Sequence, residues 1–98
     1  MRDAAVLEEV KATLAQLTAL APGRGIEVRI PPYAAIQCGD GPTHTRGTPP
    51  NVVEMNAQTW LALAKGEMTW DFAMSSGAIN ASGVRADLSE YLPLRMTP

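Results

Sequence analysis

Hydrophobic positions near the start of the chain follow first a helical and then a strand pattern. Hydrophobic residues first recur every three or four positions, which predicts an amphipathic helix over residues 4–20. Asp3 precedes this segment as a candidate N-cap, and Pro22 with Gly23 ends it. Residues 26–30 then alternate strictly between aliphatic and charged side chains, which predicts a strand with one face in the core.

Prolines and glycines divide the rest of the chain into short elements. Pro31 and Pro32 interrupt the first strand because proline has no N–H to donate, and residues 33–38 form a second extended run that returns beside it. Strands early and helices late predict a single α+β domain over residues 1–98 with an antiparallel or mixed sheet. The later predicted elements are a strand at 52–55, helices that start at Asn56 and Thr69 and stop at Gly66 and Gly77, a strand at 79–82 and helical turns at 87–92.

A polar loop separates the second and third predicted strands. Residues 39–51 read GDGPTHTRGTPPN, whose glycines and prolines argue against a regular element. Within this loop, Arg46 offers a planar fork for a carboxylate or phosphate, and His44 supplies a second polar side chain. The alternative is a structural loop in which threonine hydroxyls bond the backbone and Arg46 pairs with Glu54.

Seven large apolar residues in the second half of the chain form what is here called the apolar set. They are consistent with a close-packed core, or with the wall of a lipid-binding cavity, for which methionine and aromatic side chains are well suited. In a third interpretation, Trp60 and Trp70 are half exposed on a dimer surface. The set comprises Trp60, Leu63, Met68, Trp70, Phe72, Met74 and Leu88.

Composition and charge limit the possible functions. The chain has 98 residues, 46% of them hydrophobic, and a formal net charge of -2. This balance argues against a nucleic-acid partner and against docking to anionic lipid. No stretch reaches the roughly 18 apolar residues of a membrane span, and the start lacks the apolar run of a signal peptide. A cytosolic location is therefore expected.

The reactive side chains are few. Cys38 is the only cysteine and His44 the only histidine, so the chain has neither an intrachain disulfide nor a multi-histidine metal site. A nucleophile and base pair of these two residues is conceivable, but a cysteine at the end of an apolar strand is usually a small buried hydrophobe. The carboxylates of Asp40, Glu54 and Asp71 have no spacing typical of a catalytic pair. Neither catalysis nor a cofactor is predicted.

The second half of the chain resembles a known family. The run WLALAKGEMTWDFAMSSGAINASG, residues 60–83, resembles the C-terminal half of sterol carrier protein-like domains, and residues 86–94 fit the closing helix of that family. Residues 31–54 are similar to small actinobacterial sterol carrier family proteins. The resemblance implies a small, twisted, mainly antiparallel sheet with helices packed on one face. It also implies an apolar tunnel that accepts fatty acyl chains, acyl-CoA or sterols.

Residues and resemblance together predict a small lipid-binding or lipid-carrier-like protein that is not an enzyme. It would bury a fatty acyl or sterol-like ligand between sheet and helices, against the apolar set, with His44 and Arg46 at the polar head. The alternative is a non-catalytic interaction module that forms a homodimer or serves a separate enzyme. Neither hypothesis involves stable insertion into a membrane.

Overall fold

The structure is a computed structural model that describes residues 3–41 and 51–94. Within these residues, most elements match the predicted ones, and the first helix and first strand have the predicted bounds. In chain order the elements are α1 (Ala4–Leu20), β1 (Ile26–Ile30), β2 (Ala34–Cys38), β3 (Val52–Glu54), α2 (Ala57–Lys65), α3 (Trp70–Ser75), β4 (Asn80–Ser82) and a 3₁₀ turn (Ser89–Tyr91).

The three α-helices of the described residues begin where their capping residues predict. Asp3, Asn56 and Thr69 each accept a hydrogen bond from a backbone N–H in the first turn of their helix, at N···O distances of 2.9, 2.8 and 3.1 Å. Such caps satisfy donors that have no partner inside the helix. Gly66 ends α2 in the left-handed region, with a φ of 81°. These confirmed caps fix the positions at which α2 and α3 start and the turn between them.

The strands form one mixed sheet in the order β2-β1-β3-β4. β1 pairs with β2 and β3 pairs with β4 in antiparallel fashion, whereas β1 and β3 are parallel. The register places Ile26 opposite Cys38, and Val28 opposite Val53. The predicted α+β fold with a mainly antiparallel sheet is therefore confirmed.

The two faces of the sheet differ in chemistry. Ile26, Val28 and Ile30 of β1 are buried and belong to the same hydrophobic core as the buried residues of α1 and α2. On the opposite face, the Arg29 guanidinium pairs with the Glu27 carboxylate on its own strand. The strict alternation in the sequence therefore predicts this division correctly, since successive strand residues point to opposite faces.

Residues 85–94, here called the C-terminal segment, are held in place at two points. Leu88 and Leu94 are both buried, and the backbone N–H of Leu94 donates to the carbonyl of Ala64 at 2.9 Å. Buried Asn51 donates to the Gly25 carbonyl and accepts from the Arg85 N–H, each at 2.9 Å. The bond to Ala64 places the end of this segment alongside the end of α2, and the bonds of Asn51 hold Arg85 near the starts of β1 and β3.

Candidate functional site

The apolar set divides into three groups by burial. Trp60, Leu63 and Leu88 lie in the core, with exposed fractions of 0%, 1% and 0%. Met68 and Trp70 are half-buried and pack against the core from outside. In the third group, Phe72 and Met74 are exposed, at 59% and 42%. The seven residues therefore do not line one common cavity wall.

Trp60 fixes α2 to α1. Its indole Nε1 donates a hydrogen bond to Thr13 Oγ1 at 2.7 Å, and that hydroxyl in turn donates to the Glu9 carbonyl at 2.7 Å. A buried indole N–H requires such a partner, because an unmade hydrogen bond in the interior is costly. The full burial of Trp60 means that its ring fills space between helices and sheet.

Half-buried residues of the set meet in a surface cleft of about 370 Å³, here called the α2–α3 cleft. One side is the turn between α2 and α3, and the other is the end of the C-terminal segment. Its volume lies at the small end of the roughly 300–1,000 Å³ that is usual for small-molecule sites. The lining residues are Gly66, Met68, Thr69, Trp70, Asp71, Ser89, Leu92 and Pro93.

Backbone geometry sets the width of the α2–α3 cleft. A Cβ added to Gly66 would lie 3.4 Å from Pro93 Cβ, so the turn and the C-terminal segment approach closely at this point. The φ of 81° at Gly66 also favours glycine, since other residues rarely adopt this region. The bond from Leu94 to Ala64 holds the second wall in place beside the end of α2.

The cleft has an apolar wall and a polar rim. Met68, Trp70 and Leu92 pack against the core cluster and offer apolar surface to the cleft. Thr69 and Asp71 lie on the rim, where the Thr69 hydroxyl caps α3 by accepting from Phe72 N–H. This combination suits a ligand with an apolar body and a polar end.

Two other clefts have similar volumes but no member of the apolar set. One of about 440 Å³ is polar, since Asp40, Arg85, Asp87 and Glu90 contribute to its lining. Tyr91 also lines it, and burial, together with the negative charge of Glu90, raises the pKa of Tyr91. The other, of about 410 Å³, lies at the β1–β2 turn and the Arg29–Glu54 ion pair.

The structure describes Cys38 but not the predicted head-group residues His44 and Arg46. His44 and Arg46 fall within residues 42–50, outside the described part of the chain, and their role at a polar head stays a prediction. Cys38 is fully buried, and burial raises the pKa of its thiol to about 11, which disfavours the reactive thiolate. Among residues 3–41 and 51–94, no group of three His, Cys, Asp or Glu side chains could hold a metal ion.

The second wall of the α2–α3 cleft is not predicted by the sequence. The helical turns predicted at 87–92 include Leu92, and Pro93 follows them, but both residues line the cleft. Nothing in their local pattern indicates the partner that they face, because that contact joins them to residues 66–71. The one available signal was the apolar spacing of Leu88 and Leu92, which predicts a buried side but not its neighbour.

Fold and cleft together define a small α+β domain with an apolar cleft beside its helical layer. Among the described residues, no helix combines the length and apolar character needed to cross a bilayer. A family model described as "Bacterial SCP ortholog" matches residues 2–94, and the chain therefore belongs to this sterol carrier protein-like family. A comparison with curated proteins gave no match.

Proposed function

We propose that this protein binds one apolar chain, such as a fatty acyl chain, in the α2–α3 cleft and carries it without chemical change. The supporting observation is that the cleft brings Met68 and Trp70 together with Leu92 around a volume of about 370 Å³. Membership of a sterol carrier protein-like family supports the same ligand class. The ligand would lie beside the core, because Trp60, Leu63 and Leu88 are already packed within it.

The apolar wall can account for useful affinity. Each buried methylene contributes about 0.8 kcal/mol, so about ten methylenes against this wall would contribute roughly 8 kcal/mol before the cost of association. A polarizable thioether and an indole ring adapt to chains of different lengths. This wall therefore favours a class of apolar chains over one particular lipid.

A carrier role without catalysis is also part of the proposal. Cys38 is fully buried, and the raised pKa of its thiol opposes nucleophilic attack. The protein would act in the cytosol, by partitioning an apolar chain out of water. His44 and Arg46 are proposed to contact the charged head of such a ligand, as the sequence predicts.

Substitution of Trp70 provides the test. Trp70→Ala removes the largest apolar side chain of the cleft wall, and we expect affinity for a fluorescent fatty acyl probe to fall about tenfold or more. Phe72→Ala is the matched control, because Phe72 lies on the same helix but is 59% exposed and does not line the cleft. That variant should change affinity by less than about twofold.

Two outcomes would contradict the proposal. One is the absence of uptake of any acyl probe by the unaltered protein, together with no lipid retained in native mass spectrometry. The other is an equal loss of affinity in the Trp70 and Phe72 variants, which would place the ligand elsewhere.

A second candidate function is an interaction module. Phe72 and Met74 support it, because they leave large apolar side chains exposed on α3. In that case Phe72→Ala would weaken self-association or partner binding and leave acyl uptake unchanged. A light-scattering mass equal to that of one chain at high concentration would argue against the homodimer form.

A further inference from the structure

We infer that Asp71 makes the α2–α3 cleft select an apolar ligand with an uncharged, hydrogen-bonding end, such as a long-chain alcohol, over the carboxylate anion of the same length. This inference rests on the proposed function, since it concerns which ligand the same cleft accepts. Its basis is the charge distribution around the cleft. The lining includes one carboxylate, Asp71, and two hydroxyls, those of Thr69 and Ser89, but no described lining residue is a cation.

The nearest lysine along the chain is already paired. Lys65 ends α2, and its Nζ lies 3.3 Å from Glu9 Oε2 on α1. Among the described residues, Asp71 is in no ion pair, because the salt bridges there involve other carboxylates. The negative charge of Asp71 is therefore not neutralised by an ion pair with a side chain in residues 3–41 or 51–94.

The start of α3 does not reverse this preference. A helix N-terminus is partly positive and attracts anions, but Asp71 lies in the first turn of α3 and already supplies a negative charge there. In addition, the Thr69 hydroxyl accepts the Phe72 N–H at 3.1 Å, so that donor is engaged. A carboxylate ligand at the start of α3 would be repelled by Asp71, because the negative charge of Asp71 already occupies the position that the helix dipole favours for an anion.

An alcohol matches the rim better than a carboxylate does. A ligand O–H can donate to the Asp71 carboxylate and accept from the hydroxyls of Thr69 or Ser89, whereas a carboxylate anion can only accept. The anion would also lose hydration against the wall without gaining a cation from the described lining residues. Like charges about 5 Å apart at a protein surface repel enough to lower the affinity for the anion about three- to tenfold.

The test compares ligands of equal chain length at neutral pH. Dodecanol, dodecanoate and dodecylamine would each displace a neutral fluorescent acyl probe from the unaltered 98-residue chain. We expect the amine and the alcohol to bind more tightly than the carboxylate, with a three- to tenfold gap between alcohol and carboxylate at about 0.05 M salt. The gap should narrow at about 1 M salt, since screening weakens the repulsion.

Asp71→Asn then isolates the residue, because it removes the charge and keeps the shape of the side chain. Dodecanoate affinity should rise about three- to tenfold in this variant, and dodecanol affinity should change by less than about twofold. Glu67→Gln is the matched control: it removes a nearby exposed carboxylate that does not line the cleft, and it should leave both affinities unchanged.

The outcomes separate the inference from the proposed function. If none of the three ligands displaces the probe, or the probe itself does not bind, the proposed function fails. If all three bind but the carboxylate binds as tightly as the alcohol, or Asp71→Asn leaves the ratio of their affinities unchanged, the function stands and the inference is wrong.

Discussion

Two neighbouring helices with similar apolar content have opposite environments. α2 has nine residues, of which six are buried, whereas α3 has six residues, of which only Ala73 is buried. Trp60 in α2 is fully buried and Trp70 in α3 is half-buried. The same residue type therefore stabilises the core in one helix and remains available to a ligand in the other.

The difference arises from the neighbours of each helix. α2 packs against α1, to which Trp60 is hydrogen bonded through Thr13, and the C-terminal segment joins it at Ala64. α3 buries only its Ala73 side, and its remaining residues face the α2–α3 cleft or the surface. Apolar content alone therefore does not predict burial, because the number of neighbouring elements decides how much of a helix is covered.

The largest expected effect is a loss of stability when the core tryptophan is truncated. Trp60→Ala should lower the free energy of unfolding by about 3–5 kcal/mol, because it opens a cavity and leaves the Thr13 hydroxyl without its donor. Urea titration followed by circular dichroism would measure the loss. For a domain of this size, that is a large share of the usual 5–15 kcal/mol or so.

The control for this prediction is the tryptophan of the other helix. Trp70→Ala should lower the free energy of unfolding by only about 1–2 kcal/mol, since Trp70 is half-buried. Equal losses in the two variants would contradict the contrast between α2 and α3. They would also mean that the cleft wall is as tightly packed as the core.

The pH dependence of stability provides a second test of the core, because the Cys38 thiol is buried in it. Burial raises the pKa of Cys38 from 9.0 to about 11, so between these values the thiol ionises in the unfolded chain but not in the folded one. Below pH 9 the thiol is protonated in both states and has no effect on the pH dependence. As pH rises from 9.0 to about 11, the free energy of unfolding should fall by up to about 1.4 kcal/mol per pH unit, or roughly 3 kcal/mol in all.

Comparison with Cys38→Ala isolates this contribution. The variant lacks the thiol, whereas Tyr91, whose pKa is raised mainly by burial and by the charge of Glu90, is present in both proteins. The stability advantage of the unaltered protein should therefore shrink between pH 9 and 11. A difference that stays constant over that range would show that the Cys38 thiol ionises as readily in the folded state as in the unfolded one.

Much of the fold is predictable from local signals. The bounds of α1 and β1 agree with the predicted ones, because each has a clear hydrophobic period and a clear stop. β3 ends at Glu54 and β4 begins at Asn80, each one residue short of its predicted bound. At these ends no proline or glycine marks the boundary, and hydrogen bonding to the neighbouring strand decides it.

The candidate site is less predictable, because it depends on contacts between distant parts of the chain. The two half-buried members of the apolar set, Met68 and Trp70, were identified from sequence, but so were the exposed Phe72 and Met74. A six-residue helix is too short for periodicity to separate its sides. Pro93 enters the site only because the C-terminal segment returns to α2, which no local pattern encodes.

The smallest expected effect concerns the predicted cation at the ligand head. Arg46→Ala should weaken dodecanoate binding about two- to fivefold and leave dodecanol unchanged, because a surface ion pair contributes about 1 kcal/mol or less. This change is opposite in sign to that of Asp71→Asn, and in the double variant the two should add if the charges act independently. Displacement of a neutral probe measures all three variants on one scale. If Arg46→Ala weakens the alcohol as much as the carboxylate, then Arg46 supports the fold and does not contact the head.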